Sequence, residues 1–264
     1  MQASNKAVEF HIDSRQVAWL TLNKPDKHNA FDDAMIAQLL EHLASVRSNS
    51  AVRALVLRSH GKNFSAGADL NWMRSMAAKN RSENVEDAGE LGQLMAQLDR
   101  LPVPTIALVQ GAAFGGAVGL AACCDMVLAN PNTSFCLSEV KIGLIPAVIS
   151  PYVLRNMGSR AARRYVLTGE RFFAAEALQH GLVSEVTEQP LDQAVKPLLD
   201  ALLANGPAAV GAAKALLHDI AQRPIDDALV AHTVERIADI RVSAEGQEGL
   251  QAFLSKRSPA WQRS

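Results

Sequence analysis

Residues 101–129 read LPVPTIALVQGAAFGGAVGLAACCDMVLA, and the parsing of this run decides the fold. No charge appears from Leu101 to Cys124, so a membrane-spanning helix is the first possibility to test. Pro102, Pro104, Gln110 and the glycines at 111, 115, 116 and 119 interrupt it too often for one continuous helix. Three buried elements explain it better: a strand over PTIALVQ (104–110), a helix from Gly115 or Gly116, and a strand over DMVLA (125–129). Glycine in a helix interior costs about 1 kcal/mol relative to alanine, so Gly115, Gly116 and Gly119 need a reason to stand there. One reason is chemical: bare backbone at a helix N-terminus lets a developing anion reach unpaired amides. The other is mechanical, since small residues allow close helix–strand packing. The glycines alone leave both open.

Outward from this run, strands and helices alternate. VEFHI (8–12) and VAWLTLN (17–23) form a strand pair, followed by the turn-rich KPDKHN (24–29). Asp32 or Asp33 caps a helix with Ile36, Leu39, Leu40, Leu43 and Val46 on one face. VRALVLRS (52–59) is a strand, and HGKNFSAGAD (60–69) is a loop that opens into a helix at Asp69. Residues 77–90 are polar and read as a mobile stretch, before a helix to Leu101. Beyond Pro151 the pattern is almost wholly helical, with GLVSEV (181–186) as its one strand-like interruption. The expectation is an α/β core to about residue 185, then a helical C-terminal part.

Composition narrows the function. The chain has 264 residues, 48% hydrophobic and 20% charged, with a formal net charge of −1. That balance gives no electrostatic reason to expect nucleic acid or an anionic membrane as partner. Three clustered cysteines, Cys123, Cys124 and Cys136, suit a reducing compartment rather than a disulfide framework. The first twenty residues mix charges and lack the apolar core of a signal peptide, so the expected location is cytoplasmic.

Several chemistries fail on spelling. A dinucleotide loop needs glycine where Phe114 stands, and no G-K-S/T closes a phosphate loop. KNFSAG places Ser65 in a distorted nucleophile elbow, with Asn63 at its first glycine and His180 and Asp125 as remote partners. The histidines show no H-x-x-x-H pair and the cysteines no zinc spacing, so no metal site is expected. One acid stands apart. Glu139 lies among Phe135, Leu137, Val140, Ile142, Leu144 and Ile145, where a dry wall would raise its pKa as proton transfer requires. Pairing with Lys141, or a surface cap, is the alternative.

GKNFSAGADL (61–70), the opening run and FCLSEVKIGLIP (135–146), in this order and spacing, resemble the crotonase family, also called the enoyl-CoA hydratase/isomerase family. The resemblance extends from LNKPDKHNAF (22–31) to AFLSKR (252–257). It implies an α/β spiral of β-β-α units over residues 1–187 and a helical trimerisation region over 188–264, assembled as homotrimers or homohexamers. It implies an acyl-CoA substrate, with coenzyme A as part of that substrate and no prosthetic group. It places two amides that bind the thioester oxygen at Ala68 and Gly116, with Glu139 moving the proton. The coenzyme would be held around Ala66, Ala68, Asp69, Leu70, Asn71, Gly115 and Gly116, with Lys27, Phe253 and Lys256 reaching it.

One departure matters. Two-acid hydratases of the family carry a first glutamate where this chain has Gly119, and the later glycine-rich stretch reads PAVISPYVL (146–154). Residues 135–172 most resemble hydratases of methylglutaconyl-CoA and relatives acting on longer isoprenoid-derived acids, as in leucine or terpenoid breakdown. The expected activity is therefore hydration of a branched or carboxylated enoyl-CoA. Arg155, Arg160, Arg163 and Arg164 are candidates to meet a distal carboxylate. A Δ3,Δ2-enoyl-CoA isomerase with a single glutamate, and a non-catalytic acyl-CoA-binding protein, are the other two readings.

Overall fold

The computed structural model describes residues 6–262. It opens with β1 (Val8–Ile12) and β2 (Val17–Leu22), an antiparallel pair whose Asp13–Gln16 turn is tied by the Asp13 carboxylate. Helix α1 (Asp33–Ser48) starts where the Asp32 carboxylate accepts from Met35 N at 2.9 Å. Its buried face is Met35, Ile36, Leu39, Leu43 and Val46, close to the stripe that the sequence predicts. Strand β3 (Ala54–Ser59) follows, then the loop to α2 (Leu70–Ala78) and α3 (Arg81–Asp99).

The uncharged run parses as expected, with one addition. β4 (Thr105–Val109) leads into a short strand β5 (Ala112–Phe114), then helix α4 (Gly116–Cys123) and strand β6 (Met126–Ala129). A strand β7 (Ser134–Cys136) and a single 3-10 turn, Glu139–Ile142, come next. Helix α5 (Ser150–Thr168) is broken at Gly158, and β8 (Arg171–Phe173), α6 (Ala174–Gln179) and β9 (Glu185–Val186) follow. The C-terminal helices are α7 (Leu191–Leu203), α8 (Pro207–Ile220), α9 (Asp227–Val242) and α10 (Ala244–Leu254).

Two sheets result. The larger has the order β1-β2-β3-β4-β6-β9, parallel from β2 onward, and the smaller has the order β5-β7-β8. β3 and β4 are buried from Ala54 to Leu57 and from Thr105 to Val109, the continuous apolar runs of strands covered on both faces. Every residue of α4 from Ala117 to Cys123 is buried, so this helix runs inside the core. A helix apolar all round belongs there.

The polar stretch over 77–90 is a correction. It is helical except for a break at Lys79–Asn80, where the Asn80 side chain caps α3 and Glu83 reaches back to the Asn80 N–H. The sequence carries this capping box as N-x-x-E. Its helix looks structureless because its buried residues, Leu94, Met95, Leu98 and Asp99, all lie in its second half. The chain beyond Pro151 also holds one more strand than expected, β8.

Two compact units divide the chain. One runs to Leu101 and resumes over Thr105–Val195; the other takes Pro102–Pro104 and the chain from Lys196 onward. In the second unit Lys214 donates to Val103 O, and the Glu245 carboxylate accepts from Ala208 N and Ala209 N at the start of α8. Among the described residues, no helix is long and apolar enough to cross a membrane.

Candidate active site

Three backbone segments lie side by side in the first unit. Ser65 N donates to Ala112 O and Phe114 N to Ser65 O, both at 3.0 Å, which ties the SAGAD loop to β5. On the loop's other edge, Ala66 N donates to His28 O at 2.9 Å, Phe31 N to Gly67 O at 2.7 Å and Asp69 N to Phe31 O at 2.7 Å. The glycines permit this approach. A Cβ on Gly111 would lie 2.1 Å from Lys62 O, and one on Gly67 would lie 3.1 Å from Phe114 O.

Within this arrangement two main-chain donors are left over. Ala68 lies opposite Phe31 in a parallel bridge, and among the described residues its N–H meets no acceptor. Gly116 is the first residue of α4, and its N–H likewise meets none, as expected of the first turn of a helix. Gly115 sets the helix entry with φ 54° and ψ −122°, a conformation that a side chain strains, and its own N–H donates to Cys136 O at 2.9 Å.

Glu139 meets this helix start. A Cβ on Gly115 would lie 3.1 Å from Glu139 Oε1, and Oε2 is buried without a hydrogen-bond partner. Burial raises the Glu139 pKa above the ordinary carboxyl value, against a smaller lowering by its own backbone N–H. Lys141 does not neutralise it; its side chain lies along Gly169. A carboxyl group with an unpartnered oxygen, set beside the start of a helix whose first amide is unpaired, is an arrangement that can hold an oxyanion and move a proton near it.

Gly119, one turn along α4, faces packed apolar atoms. A Cβ there would come within 2.2 Å of Ile149 Cγ2 and 3.2 Å of Met95 Sδ. The space where a side chain at 119 would start is filled by Ile149, the residue just before α5. Sequence reading missed both Ile149 and Met95, because their contact with Gly119 has no signature in local pattern.

The remaining candidates fall as follows. Asp69 caps α2, accepting from Asn71 N and Trp72 N, and those bonds hold its pKa below the usual range. Lys27 Nζ stands 3.6 Å from its carboxylate. Leu70 is exposed, and Asn71 accepts from the Arg74 guanidinium. Ala66 is exposed, and its carbonyl meets no donor among the described residues. Phe253 and Lys256 belong to the second unit, both exposed, with Lys256 at φ 52° after α10. Of the arginines, Arg155 is held by both terminal nitrogens on the buried Asp99 carboxylate, and Arg164 pairs with Glu170. Arg155 is thus committed to Asp99 rather than poised for a ligand carboxylate.

The hydrolase alternative loses its parts here. Ser65 is fully buried and its hydroxyl accepts from Gly67 N. Asp125 is engaged by Thr105 N and Thr105 Oγ1, while His180 stands edge-on to Tyr165. Asn63, which sequence reading saw only as a flaw in the elbow, is a hub. It accepts from Ala112 N, meets His28 Nδ1, and its carbonyl takes Asn29 Nδ2 and Ser59 Oγ.

Known proteins resemble this chain over nearly its whole length. An enoyl-CoA hydratase from Shewanella pealeana has a solved structure that is 52% identical, with a TM-score of 0.95 over 98% of this chain and 97% of that one. The 2,3-dehydroadipyl-CoA hydratase of Escherichia coli K12 is 34% identical, covering 94% of this chain and 96% of that protein. The 1,2-epoxyphenylacetyl-CoA isomerase of the same organism is 32% identical, covering 94% and 95%. The enoyl-CoA hydratase/isomerase family model matches residues 13–264. The spiral α/β fold with C-terminal helices is therefore the crotonase fold, and this chain is an enzyme belonging to the enoyl-CoA hydratase/isomerase family, which acts on coenzyme A thioesters.

Proposed function

We propose that the protein hydrates the α,β double bond of a branched or carboxylated enoyl-CoA, methylglutaconyl-CoA or a longer isoprenoid-derived analogue. The observation that carries the reading is the buried, unpartnered Glu139 oxygen next to the start of α4. The Glu139 carboxylate takes a proton from water as the water oxygen bonds to the β-carbon. The double-bond electrons move toward the thioester oxygen, held by the N–H groups of Ala68 and Gly116. The enolate then reforms the carbonyl while its α-carbon takes the proton from Glu139, which returns the carboxylate. Each oriented donor contributes about 10²–10³ in rate, because charge gathers on the oxygen it faces. The name of the Escherichia coli dehydroadipyl-CoA hydratase supports a carboxylated acyl chain.

The coenzyme would lie along the Ala66 carbonyl and the Asp69–Asn71 helix start, with Lys256 of a neighbouring subunit reaching its phosphates. Homotrimers or homohexamers belong to the same proposal. In the second unit, Val230, Val234 and Ile237 of α9 and Phe253 and Leu254 at the end of α10 are exposed apolar side chains suited to burial in an assembly.

A specific observation favours a second reading. Ile149 and Met95 take the space at Gly119, so α4 offers no second proton carrier there. A Δ3,Δ2-enoyl-CoA isomerase needs only one carboxylate, which removes a proton at one carbon and returns it at another. Incubation with methylglutaconyl-CoA and with a 3-enoyl-CoA separates them. Hydration removes the enoyl-thioester absorbance and isomerisation creates it. Tight binding with neither change would refute both.

A further inference from the structure

Phe31 lies in no strand or helix longer than a single bridge, yet it borders the residues of both unpaired donors. Its main chain grips the SAGAD loop on either side of Ala68, through Gly67 O and Asp69 N, each at 2.7 Å. In a parallel bridge the residue flanked by two such bonds turns its own N–H away from the strand that grips it. The same Phe31 bonds therefore leave the Ala68 N–H unused and fix its direction. The side chain acts on the other donor. Ring atoms Cδ2 and Cε2 both lie 3.6 Å from where a Cβ on Gly116 would stand, so the ring walls the bare side of the first residue of α4.

Phe31 is itself held from both directions. Behind it, Asn29 is fully buried, with its amide donating to His60 O and Asn63 O and its carbonyl oxygen accepting from Lys24 N. Ahead of it, Asp32 caps α1. His28 and Asn29 adopt φ of 52° and 53°, the left-handed turn that brings the chain back against the loop. Phe31 is 2% exposed, so its side chain is enclosed by protein.

We propose that Phe31 is the positioning residue of the oxyanion site, a spacer whose backbone sets one donor and whose ring sets the other. The proposal rests on the reading of Ala68 and Gly116 as the thioester-binding amides. Two donors converge on one oxygen only if their separation is right, and an error near 1 Å in such a constellation lowers rate by about 10²-fold. Removing the ring leaves the Phe31 peptide bonds in place and lets Gly116 drift toward the gap.

The test uses the full-length protein and the variants Phe31→Leu, Phe31→Met and Phe31→Ala. Steady-state kinetics give kcat and KM on the turned-over enoyl-CoA. Calorimetry gives the affinity for free coenzyme A, which has no carbonyl. Infrared spectroscopy follows the ¹³C-labelled thioester carbonyl of a bound saturated acyl-CoA. The expected result is a kcat lower by about 10-fold in Phe31→Leu and about 100-fold in Phe31→Ala, with coenzyme A affinity within about two-fold. Phe31→Met, closer in volume, should recover most of the rate. The carbonyl red shift seen with the wild type should shrink in the same order. A red shift and kcat unchanged in Phe31→Ala would overturn the proposal, as would parallel losses of kcat and coenzyme A affinity across folded variants. A wild-type carbonyl band that does not move on binding would instead overturn the oxyanion reading beneath it.

Discussion

Glu139→Gln should remove activity and stabilise the protein at the same time. The substitution keeps shape and abolishes the exchangeable proton. General acid–base transfer contributes about 10²–10⁴-fold, which is about 2.7–5.5 kcal/mol of barrier. The folded state carries the opposite cost. Glu139 Oε2 is buried with no partner, and burial raises the pKa of the carboxyl, so the fold disfavours the ionised form. Between the ordinary carboxyl value and the raised one, the folded chain binds more protons than the unfolded chain, so stability falls as pH rises across that window. Above it, the penalty is complete. An unsatisfied buried polar atom costs about 1–3 kcal/mol, and the amide keeps a polar atom in place, so the expected gain at pH 7 is about 1 kcal/mol. In a chain of this size that raises Tm by about 2–4 °C. At pH below the ordinary carboxyl value the gain should vanish. The assays are enoyl-CoA turnover by absorbance, saturated acyl-CoA binding by calorimetry, and thermal melts at both pH values. Turnover within ten-fold of wild type, or a variant less stable at neutral pH, would refute the reasoning.

The pH–rate profile should lose kcat/KM on the acid side, as Glu139 protonates at a pKa above the ordinary carboxyl value, and Glu139→Gln should abolish that limb. Gly119→Ala should destabilise by about 1–3 kcal/mol through overpacking, because its Cβ would meet Ile149 Cγ2 at 2.2 Å; urea denaturation reads it, and a neutral result would contradict the packing. Asp99→Ala should cost about 2–3 kcal/mol, less than the ~3–5 of a fully buried pair, since the Arg155 side chain is 32% exposed. Asp69→Ala, which loses the α2 cap, should lower stability by about 1 kcal/mol in the same assay.

Much of this was legible in the sequence, for a physical reason in each case. Val8–Ile12 alternates in exposure and α1 buries one stripe, so period reveals them, while Val17–Leu22 is buried along nearly its whole length and reads as a short apolar run. Within the uncharged run of 101–124, β4 and α4 from Ala117 onward are buried throughout, and the prolines and glycines mark the joints. Glu139 stood out because an acid in an apolar stretch has few other uses. What escaped was short or non-local. β5, β7 and β8 are three residues each, too brief for any repeat to register. The first half of α3 faces solvent, so its polarity hid a helix that its capping box announces. Phe31 facing Gly116 and Ile149 packed at Gly119 pair residues 85 and 30 positions apart, and only folding brings them together.

The seating of Ile149 on Gly119 also constrains how this protein can change. Any residue other than glycine at 119 introduces the same Cβ, whatever lies beyond it, and that atom conflicts with a methyl group already in place. A carboxylate at 119 therefore carries this overpacking cost unless position 149 yields as well. The two positions are thus coupled, and a smaller residue at 149 would relieve the conflict.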